Sequence, residues 1–433
     1  MVEIRRGNRG NVSIAVPPSK AHTLRALVLG ALAEGTTRIR NPLLGEDQLH
    51  LVECLRGLSV PVRVLGPDGS GGRPAIEIDG RAGSFDPAAT TLDCGESGVA
   101  MNFLSSLACF ASKPVTLTGK EGLLRRPVSE IVSGVLQLGG DVAYAATEGY
   151  PPLLARPSGL AGGTARMSGS KTSQYFSSLC IAAALADADS LVVCVDDMAE
   201  KPYFDITVEM MRRFGGTVPD GEYREIAIPG RQRYRAAEID VESDYSSASY
   251  FVAAAGILGS RVALSGLVPD SAQGDRAILE YARAMGCSAE FLPEGLVVTG
   301  VPASGGGMRP IDASFRDTPD LVPTVAVMAA FARGESRLRD VAHLKFKECD
   351  RVGAIRDGLA AMGVGTRVEE DDLVIEGNPA RIRGGAIASR NDHRIAMSFA
   401  VAGLAADGQT IDDGECVGKS FPDFWERFSV FSE

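Results

Sequence analysis

The feature that most constrains the fold is a segment that recurs six times along the chain. Each copy has a polar turn, then a helix rich in Ala, Ser and Leu, then a β-branched strand. The copies begin 76, 75, 73, 74 and 74 residues apart, at Ser19, Gly95, Ser170, Ser243, Asp317 and Asn391. Because self-similarity at a fixed period is typical of repeated structural units, we expect six copies of one motif.

A second, more amphipathic helix follows the first helix in each copy. These helices are predicted at Asp47–Leu58, Pro127–Leu138, Asp205–Phe214, Asp275–Met285, Asp350–Met362 and, in a shortened form, Phe421–Phe428. A glycine just past the last apolar position ends several of them, at Gly139, Gly215, Gly286 and Gly363. With strands such as Leu191–Val195 and Val262–Ser265 in between, each copy is predicted to be a βαβαββ unit.

The two helix types are expected to differ in burial. The first helix of each copy is apolar nearly all round, which predicts burial, whereas the second has a charged face and should lie outside. Six units suggest two domains of three units each. We expect residues 18–242 to form one domain, and residues 1–17 together with 243–433 to form the other, with the chain crossing near Pro18 and returning near Ile239–Ser243.

Composition excludes several classes of protein. The net charge of −11 argues against nucleic-acid binding, which needs a basic face. Apolar stretches such as Val325–Ala332 are too short to span a membrane, and the N-terminal residues MVEIRRGNRGN lack a signal-like apolar run. We therefore expect a cytoplasmic protein. The eight cysteines are scattered without a C-x-x-C pair, so no metal site or disulfide is predicted.

Cationic side chains collect in the turns around these helices. They are Lys20, Arg25, Arg126, Lys171, Lys347, Arg351, Arg394 and Lys419. Helix N-termini carry unpaired N–H groups and the positive end of the helix dipole, so aligned N-termini would attract a multiply charged anion. Gln174, Asp320 and Glu348 lie among these cations, and the two carboxylates are suited to acid/base work.

Two short motifs sharpen this pattern. In KECDR, at Lys347–Arg351, two cations four residues apart are expected to share a helix face. In NDHR, at Asn391–Arg394, a capping residue and an arginine open a buried helix. Arginine forks suit carboxylate and phosphate, so a substrate that carries both groups is predicted.

The ordered motifs resemble the enolpyruvyl transferase family, and within it the 5-enolpyruvylshikimate-3-phosphate synthases. The resemblance covers essentially the whole chain and rests on PPSKAHTLRALVLGALAEGTT, GESGVAM, LTGKEGLLRRPV, SKTSQYFSSL, EKPYFDIT, DYSSASYF, PDLVPT, KFKECDR, NDHRIAM and GKSFPDF. It implies the family's two-domain inside-out α/β barrel of six βαβαββ units, with the active site in the interdomain cleft. It also implies enolpyruvyl transfer from phosphoenolpyruvate to the 5-hydroxyl of shikimate-3-phosphate, with release of phosphate, in the shikimate pathway.

Residue by residue, the resemblance assigns the site. Phosphoenolpyruvate would be bound by Lys20, Gly98, Arg126, Gln174, Arg351, Arg394 and Lys419. The acceptor would be bound by Arg25, Thr172, Ser173, Gln174, Tyr203, Asp320, His343 and Lys347. Asp320 would take the proton of the acceptor hydroxyl, and Glu348 and Lys20 would protonate C3. No metal or cofactor is implied, and a monomer is expected.

The acceptor side departs from the family pattern at four positions. Ala21 replaces a serine that contacts the acceptor's carboxylate, and Glu200 replaces a serine that contacts its phosphate. The stretch from Glu96 to Asn102 loses one cation and gains one acid. The alternative is therefore a family member with another cyclic alcohol as acceptor, either phosphorylated or unphosphorylated. A non-catalytic binding relative is a remote alternative, since such a protein should have lost Asp320, Glu348 or an arginine.

Overall fold

The computed structural model describes residues 1–8, 10–66, 73–218, 223–301 and 306–432. The chain divides into two compact units. The continuous unit is Pro18–Glu242, and the discontinuous unit is Met1–Pro17 with Ser243–Glu433. No helix within the described ranges is long and apolar enough to cross a membrane.

The helices and strands alternate along the described parts of the chain. The α-helices are α1 Lys20–Leu32, α2 Glu46–Gly57, α3 Gly98–Leu107, α4 Glu121–Leu124, α5 Ser129–Gln137, α6 Gln174–Ala183, α7 Lys201–Arg213, α8 Tyr245–Leu258, α9 Ile278–Ala284, α10 Val322–Ala330, α11 Arg351–Ala361, α12 His393–Gly403 and α13 Phe424–Phe428. The strands are β1 Val2–Glu3, β2 Asn11–Ala15, β3 Thr36–Arg40, β4 Val62–Leu65, β5 Ala75–Asp79, β6 Thr91–Asp93, β7 Val115–Thr118, β8 Asp141–Tyr144, β9 Leu153–Arg156, β10 Gly163–Met167, β11 Ser190–Cys194, β12 Glu225–Ile228, β13 Glu238–Asp240, β14 Arg261–Ser265, β15 Ser288–Leu292, β16 Gly295–Thr299, β17 Asp312–Ser314, β18 Gly334–Arg339, β19 Gly365–Glu369, β20 Asp372–Gly377, β21 Ala386–Ile387 and β22 Thr410–Ile411.

Each unit contains three of the sheets that the described residues form. The continuous unit has the strand orders β13-β3-β5-β4, β6-β7-β9-β8 and β10-β11-β12. The discontinuous unit has β15-β16-β14-β2, β17-β18-β20-β19 and β1-β22-β21. In four of these sheets the strand before a buried helix and the strand after it pair in parallel, as β6 does with β7.

Two strands, β2 and β13, belong to sheets whose other strands are distant in sequence. β2 precedes α1 in the chain but pairs in parallel with β14, whereas β13 precedes α8 and pairs in parallel with β3. The chain passes between the units directly after these strands, at Pro17–Pro18 and Glu242–Ser243. In each unit, therefore, one repeat is completed by a strand that is distant in sequence from the rest of that repeat.

The predicted burial of the first helices is confirmed. All residues of α10 and α12 are buried, and α8 is buried except at Ile257. Side-chain hydroxyls hydrogen-bond to one another where these three helices pack. Thr324 Oγ1 lies 3.1 Å from Ser249 Oγ and 3.2 Å from Ser398 Oγ. In the continuous unit, α3 and α6 are joined by Ser106 Oγ and Ser178 Oγ at 2.7 Å. Small side chains thus hold the helices that carry the candidate site.

Most predicted helix ends are confirmed, and a few are wrong. Gly139, Gly215, Gly286 and Gly363 all adopt positive φ angles, as the predicted C-terminal turns require. However, α7 begins four residues before the predicted Asp205, because Pro202 is compatible with a first helical turn. The residues Gly274–Ala277 form a 3₁₀ turn before α9. The third repeat also departs from βαβαββ, since β12 alone follows α7 before β13 in the described residues.

Candidate functional site

A carboxylate–arginine cluster lies at the N-termini of α10 and α11 in the discontinuous unit. Arg351, the first residue of α11, is 1% exposed and donates from Nη1 to Asp320 Oδ1 at 2.7 Å. Its Nη2 donates to Glu348 Oε2 at 2.5 Å. Asp320 precedes α10, and its other oxygen accepts from Arg394 Nη2 at 2.6 Å. Asp320 therefore bridges Arg351 and Arg394, and Glu348 also pairs with the guanidinium of Arg351.

The charges of this cluster determine the protonation state of Asp320. Burial opposes ionisation, but Arg394, then Arg351 and Lys347, outweigh burial and hold the pKa of Asp320 below its ordinary value. The carboxylate is therefore ionised at neutral pH. With these cations around it, Asp320 is a weaker base than an ordinary carboxylate.

Asp392 is a third carboxylate of this cluster, and sequence reasoning missed it. It is fully buried, accepts from Arg351 Nε at 2.8 Å, and caps α12 by accepting from the Arg394 backbone N–H at 2.9 Å. A single carboxylate thus orients Arg351 and the first turn that carries Arg394. The NDHR motif signalled a cap, but the 41-residue separation of Arg351 and Asp392 hid the ion pair.

Lys419 lies beside the same turn. It is 4% exposed, and its Nζ donates to the carbonyl of Asn391 at 2.6 Å. It ends a 3₁₀ turn, Glu415–Lys419, that packs against α12. The structure therefore places Lys419 close to the N-terminus that carries Arg394.

Lys347 is not on a helix, and the predicted shared face in KECDR is wrong. Asp350 caps α11 by accepting from the Gly353 N–H at 3.1 Å, so the helix starts at Arg351 and leaves Lys347 in extended backbone. His343 lies in the preceding 3₁₀ turn and is 7% exposed. Burial, followed by Lys347, lowers the pKa of His343 to about 3, so this imidazole is neutral at physiological pH.

Two cations lie on α1 in the continuous unit. Ser19 caps this helix, and Lys20 is its first residue, with Nζ 2.5 Å from Asp47 Oδ2. Arg25, 2% exposed, donates from Nε to Thr207 Oγ1 at 2.7 Å and from Nη2 to the Tyr203 carbonyl at 2.7 Å. Burial lowers the pKa of Arg25 to about 10. Because this value is still well above neutral pH, the side chain stays protonated. Arg25 thus links α1 to α7, on which Tyr203 lies.

Gly98 and Arg126 approach each other closely at the start of α3. A Cβ atom added to Gly98 would lie 2.8 Å from Arg126 Nη1, closer than side-chain contacts allow. Ser97 caps this helix by accepting from the Ala100 N–H at 3.2 Å. The absent side chain at Gly98 therefore lets the guanidinium lie against the helix N-terminus.

The start of α6 brings together three more predicted residues. Gln174 is the first residue of α6, and its Oε1 accepts from Asn102 Nδ2 at 3.0 Å. Thr172 Oγ1 donates to Glu200 Oε2 at 2.6 Å, and Ser173 Oγ donates to the Glu200 carbonyl at 2.8 Å. Two of the departures from the family pattern, Asn102 and Glu200, are thus in direct contact with residues predicted to bind substrate.

The predicted site residues fall into one set in each unit. Asp320, His343, Lys347, Glu348, Arg351, Arg394 and Lys419 belong to the discontinuous unit. Lys20, Arg25, Gly98, Arg126, Thr172, Ser173, Gln174 and Tyr203 belong to the continuous unit. Within the described residues, no group of three His, Cys, Asp or Glu side chains could hold a metal ion.

Comparisons with known proteins agree with the motifs. A sequence model of the EPSP synthase family (3-phosphoshikimate 1-carboxyvinyltransferase) matches residues 4–428. A 3-phosphoshikimate 1-carboxyvinyltransferase of Methanoculleus marisnigri is 41% identical over 427 residues, which are 98% of each chain. One from Photobacterium profundum is 35% identical over 98% of this chain and 97% of its own.

A solved structure shares the mixed α/β fold. An EPSP synthase structure from Acinetobacter baumannii is 28% identical and superposes with a TM-score of 0.79, over 99% of this chain and 97% of the other. The family resemblance inferred from the motifs is therefore confirmed. The chain belongs to the EPSP synthase (3-phosphoshikimate 1-carboxyvinyltransferase) family.

Proposed function

We propose that this protein is a transferase that moves the enolpyruvyl group of phosphoenolpyruvate onto the 5-hydroxyl of shikimate-3-phosphate and releases phosphate. The observation that supports this most strongly is Asp320, which bridges Arg351 and Arg394 beside Glu348. Relatives that carry the name 3-phosphoshikimate 1-carboxyvinyltransferase match the chain over nearly its full length.

The donor carries a phosphate and a carboxylate, and the proposed donor site offers cations for both. Arg351, Arg394 and Lys419 come from one unit, and Lys20 and Arg126 come from the other, where Gly98 and Gln174 supply helix N-termini. Arginine binds carboxylate and phosphate groups in a bidentate manner, and helix N-termini add favourable dipoles. Asp392 keeps Arg351 and Arg394 oriented for this task.

The reaction needs one base and one acid. As the acceptor oxygen attacks C2 of phosphoenolpyruvate, Asp320 takes its proton, and Glu348 with Lys20 gives a proton to C3. The resulting tetrahedral intermediate loses a C3 proton, the bond between C2 and the phosphate oxygen breaks, and phosphate leaves. The arginines offset the charge that develops in the intermediate. No phosphoryl group is transferred, and the chemistry requires neither a metal nor a cofactor.

Because the proposed ligands are divided between the two units, we propose that both units are needed to hold the substrates. In this proposal the units are the two domains of an inside-out α/β barrel of six repeats, with substrates in the interdomain cleft. Thr172, Ser173, Gln174, Arg25 and Tyr203 would bind the acceptor from one domain, and Asp320, His343 and Lys347 would bind it from the other. A cytoplasmic monomer that binds neither nucleic acid nor membrane remains our expectation.

A phosphate-release assay tests the proposed function. The purified protein should release phosphate from phosphoenolpyruvate when shikimate-3-phosphate is present, and should not do so when the acceptor is omitted. Asp320→Ala and Arg394→Ala should each lower kcat by about a hundredfold or more, because general acid/base catalysis and a charge-stabilising donor each contribute on this order. Glu209→Gln, in a half-exposed position on α7, is the control that should leave the rate unchanged. Full activity in Asp320→Ala would reject the assignment of the base.

A further inference from the structure

Glu200 is a buried acid in a conformation that is rare for residues other than glycine. Its residue is 1% exposed, and its φ of 64° and ψ of 36° place it in the left-handed region directly before α7. Such backbone strain persists only where the surrounding structure holds it, and it clusters at ligand-binding positions. Helix capping does not explain this conformation, because Glu200 makes no side-chain hydrogen bond that caps α7.

The contacts of Glu200 lie at the start of another helix. Its carboxylate accepts from Thr172 Oγ1 at 2.6 Å, and its carbonyl accepts from Ser173 Oγ at 2.8 Å. Ser173 directly precedes α6, a ten-residue helix, and Thr172 Oγ1 also accepts from the first N–H of that helix at 3.3 Å. A helix N-terminus of this kind favours a negative charge, and here a side chain of the protein supplies it.

We infer that Glu200 is an internal anion that competes with the anionic group of the acceptor and so determines acceptor specificity. The inference rests on the proposed function, in which Thr172 and Ser173 bind the acceptor. Both hydroxyls already donate to Glu200. A dianionic phosphate that arrives there must either displace the carboxylate from Thr172 or bind beside a like charge.

Either course weakens the binding of a phosphorylated acceptor. An acceptor with an uncharged hydroxyl at the same place does not incur this repulsion. Two unit charges about 6–12 Å apart in a protein repel strongly enough to change an equilibrium by about a hundredfold to tenfold. Glu200 therefore reduces the preference for shikimate-3-phosphate over unphosphorylated cyclic alcohols such as shikimate. The acceptor range of this protein extends toward the less charged members of the class.

The test is the ratio of kcat/KM for shikimate-3-phosphate to that for shikimate, at saturating phosphoenolpyruvate. Glu200→Ser should raise this ratio by about tenfold or more, because it removes the charge. Glu200→Gln, which keeps the size and a hydrogen-bond acceptor for Thr172, should raise it in the same direction. Glu209→Gln removes a carboxylate from a half-exposed position on the adjoining helix and should leave the ratio unchanged.

The outcomes separate this inference from the proposed function. If Glu200 were merely structural, its variants would lower kcat/KM for both acceptors in proportion, and an unchanged ratio in Glu200→Ser and Glu200→Gln would overturn the inference alone. If Glu200→Ser proves unfolded by circular dichroism, the near-isosteric Glu200→Gln decides the result. If the native protein turns over neither acceptor, the proposed function fails, and the inference fails with it.

Discussion

Asp392 offers the sharpest test of how the arginine cluster is held together. The carboxylate is fully buried, pairs with Arg351 Nε at 2.8 Å and caps α12. Breaking a buried ion pair by removing one partner costs about 3–5 kcal/mol. Because Asp320 and Glu348 still neutralise Arg351, we expect Asp392→Asn to cost about 3 kcal/mol, at the lower end of that range. Asp392→Ala also removes the helix cap and should cost about 1 kcal/mol more.

Urea unfolding followed by tryptophan fluorescence measures this loss in the relevant unit. Trp425 is the single tryptophan of the chain, and it lies in α13 of the discontinuous unit, where its Nε1 donates to the Gly414 carbonyl at 2.7 Å. Its signal therefore reports the unfolding of the unit that contains Asp392. The slope of the unfolding transition should stay constant if the variants change stability alone.

The matched control is Asp357→Asn, on the exposed face of α11. The Asp357 side chain is 69% exposed and pairs with Arg390, so its loss should cost less than about 1 kcal/mol. If Asp392→Asn and Asp357→Asn unfold at the same urea concentration, the buried pair contributes nothing measurable. That result would refute the argument that Asp392 holds Arg351 in place.

Two further predictions concern donor binding and pH. Gly98→Ala would place a Cβ 2.8 Å from Arg126 Nη1, so the guanidinium must move. We expect the KM for phosphoenolpyruvate to rise by about tenfold, which corresponds to a loss of about 1.4 kcal/mol of binding free energy. An unchanged KM in steady-state assays would contradict this prediction. Burial, then Lys347 and Arg316, lower the pKa of His343 from 6.5 to about 3 in the folded state. Between these values the unfolded chain binds a proton that the folded chain does not, so His343 lowers stability as the pH falls below 6.5, by up to ~1.4 kcal/mol per pH unit. His343→Gln should flatten the dependence of unfolding free energy on pH by that amount between pH 4 and 6, and curves with equal slopes would show that the imidazole is not held neutral.

The sequence was most informative where one residue type determines local structure. Helix ends at Gly139 and Gly363 were predictable because a left-handed turn strongly favours glycine. Burial of α8 and α12 followed from Ala- and Ser-rich composition on every face. Strand partners were not predictable in this way, because nothing in the local sequence of β2 or β13 indicates that each pairs across more than 190 residues.

The same limit applies to the candidate site. Motif resemblance identified Asp320, Arg351 and Arg394, which the structure brings together. It missed Asp392, because the ion pair depends on the burial of two turns that are distant in sequence. The assignment of Lys347 to a helix face failed because the cap at Asp350 starts α11 later than the spacing of charges suggested. Contacts that depend on where a helix begins need coordinates.

The lowered pKa of Asp320 has a consequence for the order of events in the proposed reaction. Arg394 and Arg351 lower the pKa of this carboxylate and so make it a weak base. Phosphoenolpyruvate, bound to the same arginines, would offset that positive charge and raise the proton affinity of Asp320. Asp320 would therefore become an effective base only when the donor is in place. In the proposed reaction, activation of the acceptor hydroxyl would thus depend on the presence of the electrophile that it attacks, and an enzyme with no donor bound would not readily deprotonate the acceptor.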